Sequence, residues 1–300
     1  MKIVCVSDIH SLWEKPVARL DDAKVTLLTK LRFILKWAKD NKAIIIVAGD
    51  FTNKPRSWYL LPELIVSLKE FSVPVYAVYG QHDTYLYNKT TRKSTNLGIL
   101  ELTGLVKILD DVPLIIGEDI RLYGTSHGQD IPKPDVCCMN ILTIHAAIAD
   151  QALWSGQNYM DALQFLKQNK EYEIIIAGDI HQKFLKEYDG RYILNSGPLI
   201  RKEASVYNFQ HKPGFYVVDT ASNKEPVFIE VPHEPAELVL TRSHIDYKED
   251  TANLLTEFIE SVQSIEIDED VSITENIWRV VKKNNVKQSV CDVLAEIMSR

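Results

Sequence analysis

Short runs of β-branched and aliphatic residues alternate with longer segments of helical periodicity through the first half of this chain. Residues 2–7, 43–48 and 74–79 each form such an apolar run, and residues 22–40 and 62–71 lie between them with helical spacing. Strands that alternate with helices are joined by crossover connections, which build a parallel sheet with helices packed on its face. The alternation therefore predicts a layered α/β domain.

Antiparallel strands are predicted farther along the chain. Short strands with turn signals occupy residues 106–123, and apolar runs cover residues 141–144 and 173–177 on either side of a helical segment at residues 159–169. Residues 183–231 have the pattern of successive hairpins. We therefore expect two mixed sheets packed face to face and flanked by helices.

The character of the sequence changes after Pro232 and Pro235. Beyond these prolines, apolar residues recur at helical spacing in three separate stripes. We therefore predict one large domain at residues 1–235 and a small helical appendage at residues 236–300.

Composition limits the kinds of protein that this chain can be. Its 300 residues are 46% hydrophobic and 25% charged, as in ordinary globular proteins. It has no run of about 18 uncharged apolar residues and no signal-peptide pattern at its N-terminus, so we expect a cytoplasmic protein without a membrane partner. The net charge of −7 disfavours nucleic acid as a partner, although bound divalent cations would offset part of that charge.

Residues able to bind metal ions follow five of the predicted strands, at the point where each strand ends. In chain order they are Asp8 and His10, then Asp50, then Gln81, His82 and Asp83, then His145, and finally Asp179 and His181. Loops at the carboxyl ends of strands are where α/β folds place ligand-binding residues. One such residue alone is usually part of a turn or a structural hydrogen bond, but this ordered set predicts a shared metal centre.

The ordered series resembles the motifs of the calcineurin-like metallophosphoesterase superfamily over about residues 1–220. Within that superfamily, the sequence is most similar to the SbcD-type nucleases of double-strand-break repair, particularly versions found in phages and prophages. Supporting segments are YGTSHGQDIP at residues 123–132, NILTIH ending at His145, NSGPLIR at residues 195–201 and HKPGFYVVD at residues 211–219. The resemblance implies a four-layer sandwich of two sheets and flanking helices, with phosphoesterase activity.

The resemblance also implies a role for each residue of the series. Asp50 would bridge two divalent metal ions. The remaining ligands would be Asp8, His10 and His181 for one ion, and Gln81, His145 and Asp179 for the other. His82 would protonate the leaving oxygen or stabilise its charge, and Asp83 would orient His82 through a ring nitrogen.

Two positions depart from the family pattern. Gln81 stands where the family has Asn, and its amide oxygen reaches one methylene farther. Asp179 stands where the family most often has His. A hard anionic oxygen in place of an imidazole favours manganese or magnesium over zinc, so we expect two manganese ions, with magnesium as the other choice.

Basic residues just beyond the second and third motifs are candidate substrate contacts. Lys54, Arg56, Arg92 and Lys93 either flank the cleft and bind a polyphosphate backbone or lie on solvated loops, and both interpretations stay open. His127 is either a phosphate contact or a hydrogen-bonded structural residue, of which the second is favoured.

The leading hypothesis is a metal-dependent DNA exonuclease or endonuclease of SbcD type, acting in DNA repair or recombination beside a coiled-coil ATPase of SbcC type. The three apolar stripes after residue 236 are the reason to expect this partner, because amphipathic helices dock on another chain or pair two copies into a homodimer. The alternative is that these helices pack on their own catalytic domain. The second hypothesis is a phosphodiesterase for cyclic nucleotides or nucleotide polyphosphates, and the third is an inactive scaffold. GDFTNKP at residues 49–55, in place of the Arg-Gly of protein phosphatases, argues against a phosphoprotein substrate.

Overall fold

A computed structural model describes residues 1–134, 138–152, 156–222, 224–263, 272–283 and 286–298. The strands in these residues are β1 (Lys2–Val6), β2 (Ile44–Val47), β3 (Val75–Ala77), β4 (Lys107–Ile108), β5 (Leu114–Ile116), β6 (Ile120–Thr125), β7 (Met139–Ala146), β8 (Ile148–Ala149), β9 (Met160–Asp161), β10 (Ile174–Asp179), β11 (Phe184–Tyr188), β12 (Arg191–Asn195), β13 (Gly214–Asp219) and β14 (Val227–Glu230). The α-helices are α1 (Ala23–Asp40), α2 (Leu61–Phe71), α3 (Asn96–Leu102), α4 (Ala162–Gln168), α5 (Val206–Gln210), α6 (Ala236–Val239), α7 (Ser243–Gln263), α8 (Ile273–Lys283) and α9 (Gln288–Met298).

Two six-stranded mixed sheets form the larger part of the chain. The first sheet has the order β14-β13-β1-β2-β3-β4, in which β1 to β4 run parallel and β13 pairs with β1 antiparallel. The second sheet has the order β11-β12-β10-β7-β6-β5, in which the four central strands are parallel and both edge strands are antiparallel. The predicted pair of mixed sheets is therefore confirmed.

Both faces of each sheet are covered, which explains why the central strands read as continuous apolar runs. Successive side chains of β1 point to opposite faces, so Ile3 and Cys5 join the core between the sheets while Val4 and Val6 face the helices. In β10, Ile174 and Ile176 face the first sheet. The alternate residues of β10 join the core that includes side chains of α4. The predicted flanking helices are thus confirmed as outer layers.

The helix α1 illustrates how the sequence sets an element's limits. Asp22 caps its first turn by accepting a hydrogen bond from the backbone N–H of Val25 at 3.0 Å. Buried Leu27, Leu31 and Ile34 line the face packed on the first sheet. The predicted helix at residues 159–169 is shorter than expected, because Met160–Asp161 pairs with β8 as a strand and Asp161 caps α4.

The chain divides into two compact units, Met1–Leu240 and Thr241–Arg300, five residues after the predicted boundary. The difference arises because Ala236, Val239 and Leu240 are buried together with Phe209 of the first unit. In the second unit, α7, α8 and α9 pack around Val280, Val281, Val290 and Leu294. Within the described residues, none of the helices is both long enough and apolar enough to cross a membrane.

A lysine lies inside the apolar face of α1. Lys30 is 2% exposed, and its ammonium group donates to the backbone carbonyl of Leu199 at 3.1 Å. Burial lowers the pKa of Lys30 from 10.5 to about 7, and the nearby charges of Arg201 and Arg19 lower it further. This group therefore loses its proton in the folded protein at a pH where the unfolded chain still holds it.

We predict that replacing this buried ammonium changes how stability depends on pH. Between pH 7 and 10.5 the unfolded chain binds more protons at Lys30 than the folded protein does. The free energy of unfolding therefore rises with pH by up to about 1.4 kcal/mol per pH unit from this group. Urea unfolding across that range should show a shallower rise for Lys30→Met. The control is Lys36→Met, because Lys36 is an exposed residue of the same helix; equal slopes for Lys30→Met and wild type would contradict the assignment.

Candidate metal centre

The carboxyl ends of five strands bring the predicted ligands to one place. Asp8 and His10 follow β1, Asp50 follows β2, and Gln81 follows β3, which are neighbours in the first sheet. His145 lies near the end of β7, and Asp179 ends β10, its neighbour in the second sheet. Since the sheets pack face to face, their strand ends supply ligands from both sides.

The backbone is bent sharply where these ligands sit. Asp8, His10, Asp50 and Asp179 have φ values of 49°, 47°, 46° and 93°. Residues with a Cβ rarely adopt such left-handed conformations, and each costs on the order of 1 kcal/mol or more. Strain of this kind persists where surrounding structure imposes it. Four residues at three strand ends are therefore held in unfavourable turns that direct acidic and imidazole side chains toward one centre.

The first predicted ligand set lies together. Asp8, His10 and His181 present ligand atoms that are all within 4.8 Å of one another. The Nε2 atoms of His10 and His181 are 2.8 Å apart, and Asp8 Oδ1 accepts from the backbone N–H of Asp179 at 3.1 Å. Asp8 and His10 are fully buried, so their positions are fixed by the core.

The second predicted set also lies together, around the amide of Gln81. Its oxygen is 2.5 Å from His145 Nε2, and its nitrogen donates to Asp179 Oδ1 at 2.6 Å. The Nδ1 of His145 donates to the backbone carbonyl of Ala48 at 2.7 Å. A carbonyl can only accept, so this bond places the ring hydrogen on Nδ1 and leaves Nε2 as a lone pair facing the cluster.

Asp50 occupies the middle of both sets. Its Oδ2 lies 3.6 Å from His10 Nε2, 3.7 Å from His145 Nε2 and 3.9 Å from His82 Nε2. This oxygen is fully buried and has no hydrogen-bond partner in the described part of the chain, as is also true of Asp8 Oδ2. Buried acceptors without donors are costly, and imidazoles around an unpaired carboxylate oxygen fit a shared cation.

The electrostatics support the same interpretation. Burial raises the pKa of Asp8 well above its usual value and that of Asp50 to about 7. The charge of Asp179 raises both pKa values further, and that of Asp50 also raises the pKa of Asp8. Burial also lowers the pKa of His10, and lowers that of His181 to about 3, so both rings are neutral. The cluster therefore holds several acids without protonated imidazoles, a donor set that suits divalent cations.

His82 lies at the edge of this cluster. Its backbone N–H donates to Asp50 Oδ1 at 2.9 Å, while its side chain remains 45% exposed. With His10 and Asp50 it forms a further group of ligand atoms within 4.8 Å. An imidazole that touches the centre and also meets solvent can reach a substrate atom beside bound ions.

Asp83 does not orient His82 as predicted. Its carboxylate accepts from the backbone N–H groups of Phe51, Thr52 and Gly80 at 3.1, 2.8 and 3.0 Å, and from the hydroxyl of Thr52 at 3.0 Å. These donors occupy both oxygens of the Asp83 carboxylate. The His82 ring instead forms a hydrogen bond with the backbone of Asn53. The fully buried Asp83 thus ties the loop after β2 to the loop after β3.

Two glycines permit this close approach of loops. A Cβ on Gly80 would lie 2.0 Å from Asp50 Oδ1 and 2.3 Å from the Asp50 backbone nitrogen. A Cβ on Gly49, which has φ +85°, would lie 2.2 Å from His145 Nδ1. Glycine precedes the acid in the Gly-Asp motif because any larger residue would displace a predicted ligand.

Lys202 is a site residue that the sequence reasoning missed. Its ammonium group donates to Asn53 Oδ1 at 2.9 Å. Burial lowers the pKa of Lys202, and the charges of Asp50 and Asp8 act in the opposite direction. It is therefore a cation that acts on the acids of the cluster. Lys202 directly follows the segment NSGPLIR, but no strand-end pattern marks it as functional.

The predicted substrate cations have different surroundings. Lys54 forms an ion pair with Glu14, and Arg56 donates to the carbonyl of Ser94 at 2.8 Å. The guanidinium of Arg92 lies 4.7 Å from the ring centre of Tyr79, and Lys93 is exposed. Roles in substrate binding stay predictions for all four.

His127, for which a structural role was favoured, lies beside the predicted metal ligands. Its ring centre is 6.2 Å from that of His145 and 6.0 Å from that of Tyr87. Its Nδ1 is buried without a hydrogen-bond partner among the residues described. His127 is therefore a neighbour of the cluster, and neither of its two predicted roles is decided.

Two grooves adjoin the cluster. One, of about 470 Å³, begins at Ser11 and Asn53 and is further lined by Trp13, Arg56, Trp58 and Tyr59; we call it the aromatic groove. The other, of about 520 Å³, is lined by residues that include Gln81, His82, Asp179, His181, Glu203 and Tyr207. Predicted ligands line the second groove directly, and the aromatic groove lies next to the cluster through Asn53, whose backbone bonds the His82 ring.

Comparisons with known proteins bear on the family and the fold. The family described as calcineurin-like phosphoesterase matches residues 1–183. The DNA double-strand break repair protein Mre11 of Aeropyrum pernix is 30% identical over 105 residues, which are 33% of this chain and 24% of that protein, so the chain spans about a quarter of that relative. The protein TT1561 of Thermus thermophilus has a similar fold, with a TM-score of 0.50 and 12% identity over 77% of this chain and 99% of its own. An archaeal phosphodiesterase, 18% identical, aligns over 77% of this chain and all of its own with a TM-score of 0.43.

Removing the charge of Asp50 is predicted to have opposite effects with and without metal. The pKa of Asp50 rises from 3.8 to about 7 on folding. Between pH 3.8 and 7 the folded protein therefore binds more protons at Asp50 than the unfolded chain does, and the free energy of unfolding falls as pH rises. Asp50→Asn should raise the metal-free free energy of unfolding by ~1 kcal/mol or more at neutral pH. Manganese at about 100 times its Kd should add about 2.7 kcal/mol to wild type and far less to the variant.

Calorimetry with EDTA and with manganese measures both effects. Asp111→Asn is the matched control, since it removes a carboxylate from an exposed loop. Equal stabilisation of wild type and Asp50→Asn by manganese would show that the ion binds elsewhere.

Gly80→Ala should disrupt the centre through contact alone. The added methyl group would meet the backbone and carboxylate of Asp50 at 2.3 and 2.0 Å, so one loop must move. We expect a loss of about 1–3 kcal/mol in the free energy of unfolding, together with loss of stabilisation by manganese. Gly117→Ala, where a methyl group meets open space, should keep the response to metal; the same response in Gly80→Ala would disprove the steric argument.

Proposed function

Because this chain belongs to the calcineurin-like phosphoesterase family, and is therefore a metal-dependent phosphoesterase, we propose that it hydrolyses phosphodiester bonds in DNA. The observation that carries this proposal is the metal cluster with its two adjoining grooves, which leave room for a substrate that extends beyond one phosphate group. A relative that matches a third of the chain is a DNA double-strand break repair protein, which supports the same substrate class.

Two divalent ions, when bound, supply an activated water and neutralise charge on the transferring phosphoryl group. Asp8, His10, Asp50 and His181 would hold one ion, and Asp50, Gln81, His145 and Asp179 the other. These side chains are preorganised by strained turns and by the bond from His145 to Ala48. The protein therefore fixes the positions of these side chains before substrate arrives, and such preorganisation is how electrostatic stabilisation gains its strength.

His82 is the side chain placed to act on the leaving oxygen. Its backbone bond to Asp50 fixes the loop, and its exposed ring meets solvent beside the cluster. When protonated, the ring has an N–H besides the one bonded to Asn53. This N–H would donate to the leaving oxygen and stabilise the charge that develops as the bond breaks. Lys202, close enough to influence Asp50 and Asp8, adds positive charge on the side of Asn53.

We propose manganese as the metal, with magnesium as the other choice. The donor set combines carboxylates from Asp8, Asp50 and Asp179 with the amide oxygen of Gln81, and hard oxygen donors favour these ions over zinc. A coiled-coil ATPase partner and a homodimer stay predictions that rest on the C-terminal helices.

His82→Ala should separate catalysis from metal binding. Losing an acid or hydrogen-bond donor to the leaving group should lower kcat by about 10² to 10⁴, while stabilisation by manganese is kept. Hydrolysis of labelled linear DNA and of bis(p-nitrophenyl) phosphate with manganese measures the effect. In Asp50→Asn, both activity and stabilisation by manganese should be lost.

His233→Ala serves as the control, because His233 lies beyond the end of β14 and bonds the carbonyl of Val231 at 2.7 Å. Unchanged kcat in His82→Ala would remove this residue from the reaction. Cleavage of the small ester without cleavage of DNA would favour the phosphodiesterase of small substrates, and absence of both activities would favour the inactive scaffold.

A further inference from the structure

The aromatic groove exposes large rings that a folded protein ordinarily buries. Trp58 is 78% exposed, Tyr59 is 70% exposed and Trp13 is 40% exposed. The rings of Trp13 and Tyr59 are stacked, with centres 5.1 Å apart and planes 26° from parallel. Three aromatic side chains gathered on one exposed surface indicate a binding site, because single exposed apolar residues are common but clustered ones are not.

These rings stand on rigid backbone. The N–H of Ser57 donates to Asn96 Oδ1 at 3.0 Å, and Leu60 is 1% exposed, so the segment between them is anchored at both ends. Leu12 is likewise buried immediately before Trp13. Trp58 and Tyr59 therefore project from a fixed turn, which lowers the conformational entropy lost when a ligand stacks on them.

The groove is contiguous with the metal cluster. It begins at Ser11, the residue after the predicted ligand His10, and at Asn53. Asn53 accepts from Lys202, and its backbone forms the hydrogen bond that acts on the His82 ring. A chain molecule with one phosphate at the cluster would therefore have its adjoining units in the groove.

The charge of the groove suits a polyanion. Its lining includes Lys54 and Arg56 against one acid, Glu14, although the whole chain has a net charge of −7. Lys24 adds a further cation, with its ammonium group 4.1 Å from the ring centre of Trp13. Aromatic faces alternating with cations are the arrangement by which proteins hold unpaired nucleotides, whose bases stack while their phosphates pair with positive charge.

We propose that the aromatic groove binds single-stranded DNA beside the metal centre by stacking unpaired bases on Trp58 and Tyr59. This inference rests on the proposed function and specifies the substrate as an unpaired strand or a frayed end. Duplex DNA does not fit this mode, because its bases are covered by their neighbours and only a terminal pair presents a free face. Stacking is also indifferent to sequence, because every base has such a face.

The test compares Trp58→Ala with wild type on three oligonucleotides of equal length. They are a single strand, a duplex, and a single strand in which the nucleotides next to the cleavage position lack bases. Stacking is worth about 1–3 kcal/mol per base, so KM for the single strand should rise about 5- to 150-fold in Trp58→Ala. KM for the duplex should change less than threefold, about 0.6 kcal/mol.

The abasic strand identifies the contact. Wild type should lose affinity for it by a similar factor, whereas Trp58→Ala should bind the abasic and normal strands alike, because the partner of the missing base is already absent. Trp58→Phe should recover most of the affinity. Tyr188→Ala, which removes an exposed aromatic residue of β11 in the second sheet, should behave as wild type.

Each alternative result has a separate meaning. Equal loss on single strand and duplex, or independent losses from the variant and the abasic strand, would overturn base stacking. Normal DNA kinetics in Trp58→Ala would overturn the groove's role while leaving the nuclease proposal intact, and would be expected of a protein-binding surface. Wild-type hydrolysis of bis(p-nitrophenyl) phosphate without any action on DNA would overturn both proposals.

Discussion

Mutual repulsion among buried carboxylates is the constraint on which this structure depends. Asp8 and Asp50 are fully buried, each has an oxygen without a donor among the described residues, and the imidazoles around them are neutral. Such an arrangement is tolerated only if cations offset it or the fold supplies enough stability elsewhere. The large apolar core between and around the two sheets supplies that stability, and the strained turns keep the acids from relaxing apart.

The fold and the predicted ligands could be recognised from sequence for one shared physical reason. Strands buried on both faces are continuous apolar runs, so each ends visibly, and Asp8, Asp50 and Asp179 stand at or just past such ends. Short helices such as α3 and α5 escaped prediction because 7 and 5 residues are too few to show an amphipathic stripe. The periodic signal needs more turns than these helices have.

The sequence predicted which strand-end side chains gather at one place better than it predicted which atoms they contact. The family resemblance implied that Asp83 orients His82, yet the Asp83 carboxylate accepts from backbone N–H groups of the loop after β2. Lys202 reaches Asn53 across 149 residues, a distance over which no local pattern carries information. The aromatic groove could not be predicted for the same reason, since Trp13 and Tyr59 belong to separate loops that meet only in the folded protein.

The spacing of the predicted ligands along the chain also has a consequence for biosynthesis. The backbone N–H of Asp179 bonds to the side chain of Asp8 across 171 residues, and β1 completes its pairing only with β13, where Lys2 faces Asp219. A chain emerging from the ribosome carries Asp8 and His10 early but lacks His181 until most of the first unit has been made. The nascent polypeptide therefore lacks the first predicted ligand set until His181 has been synthesised.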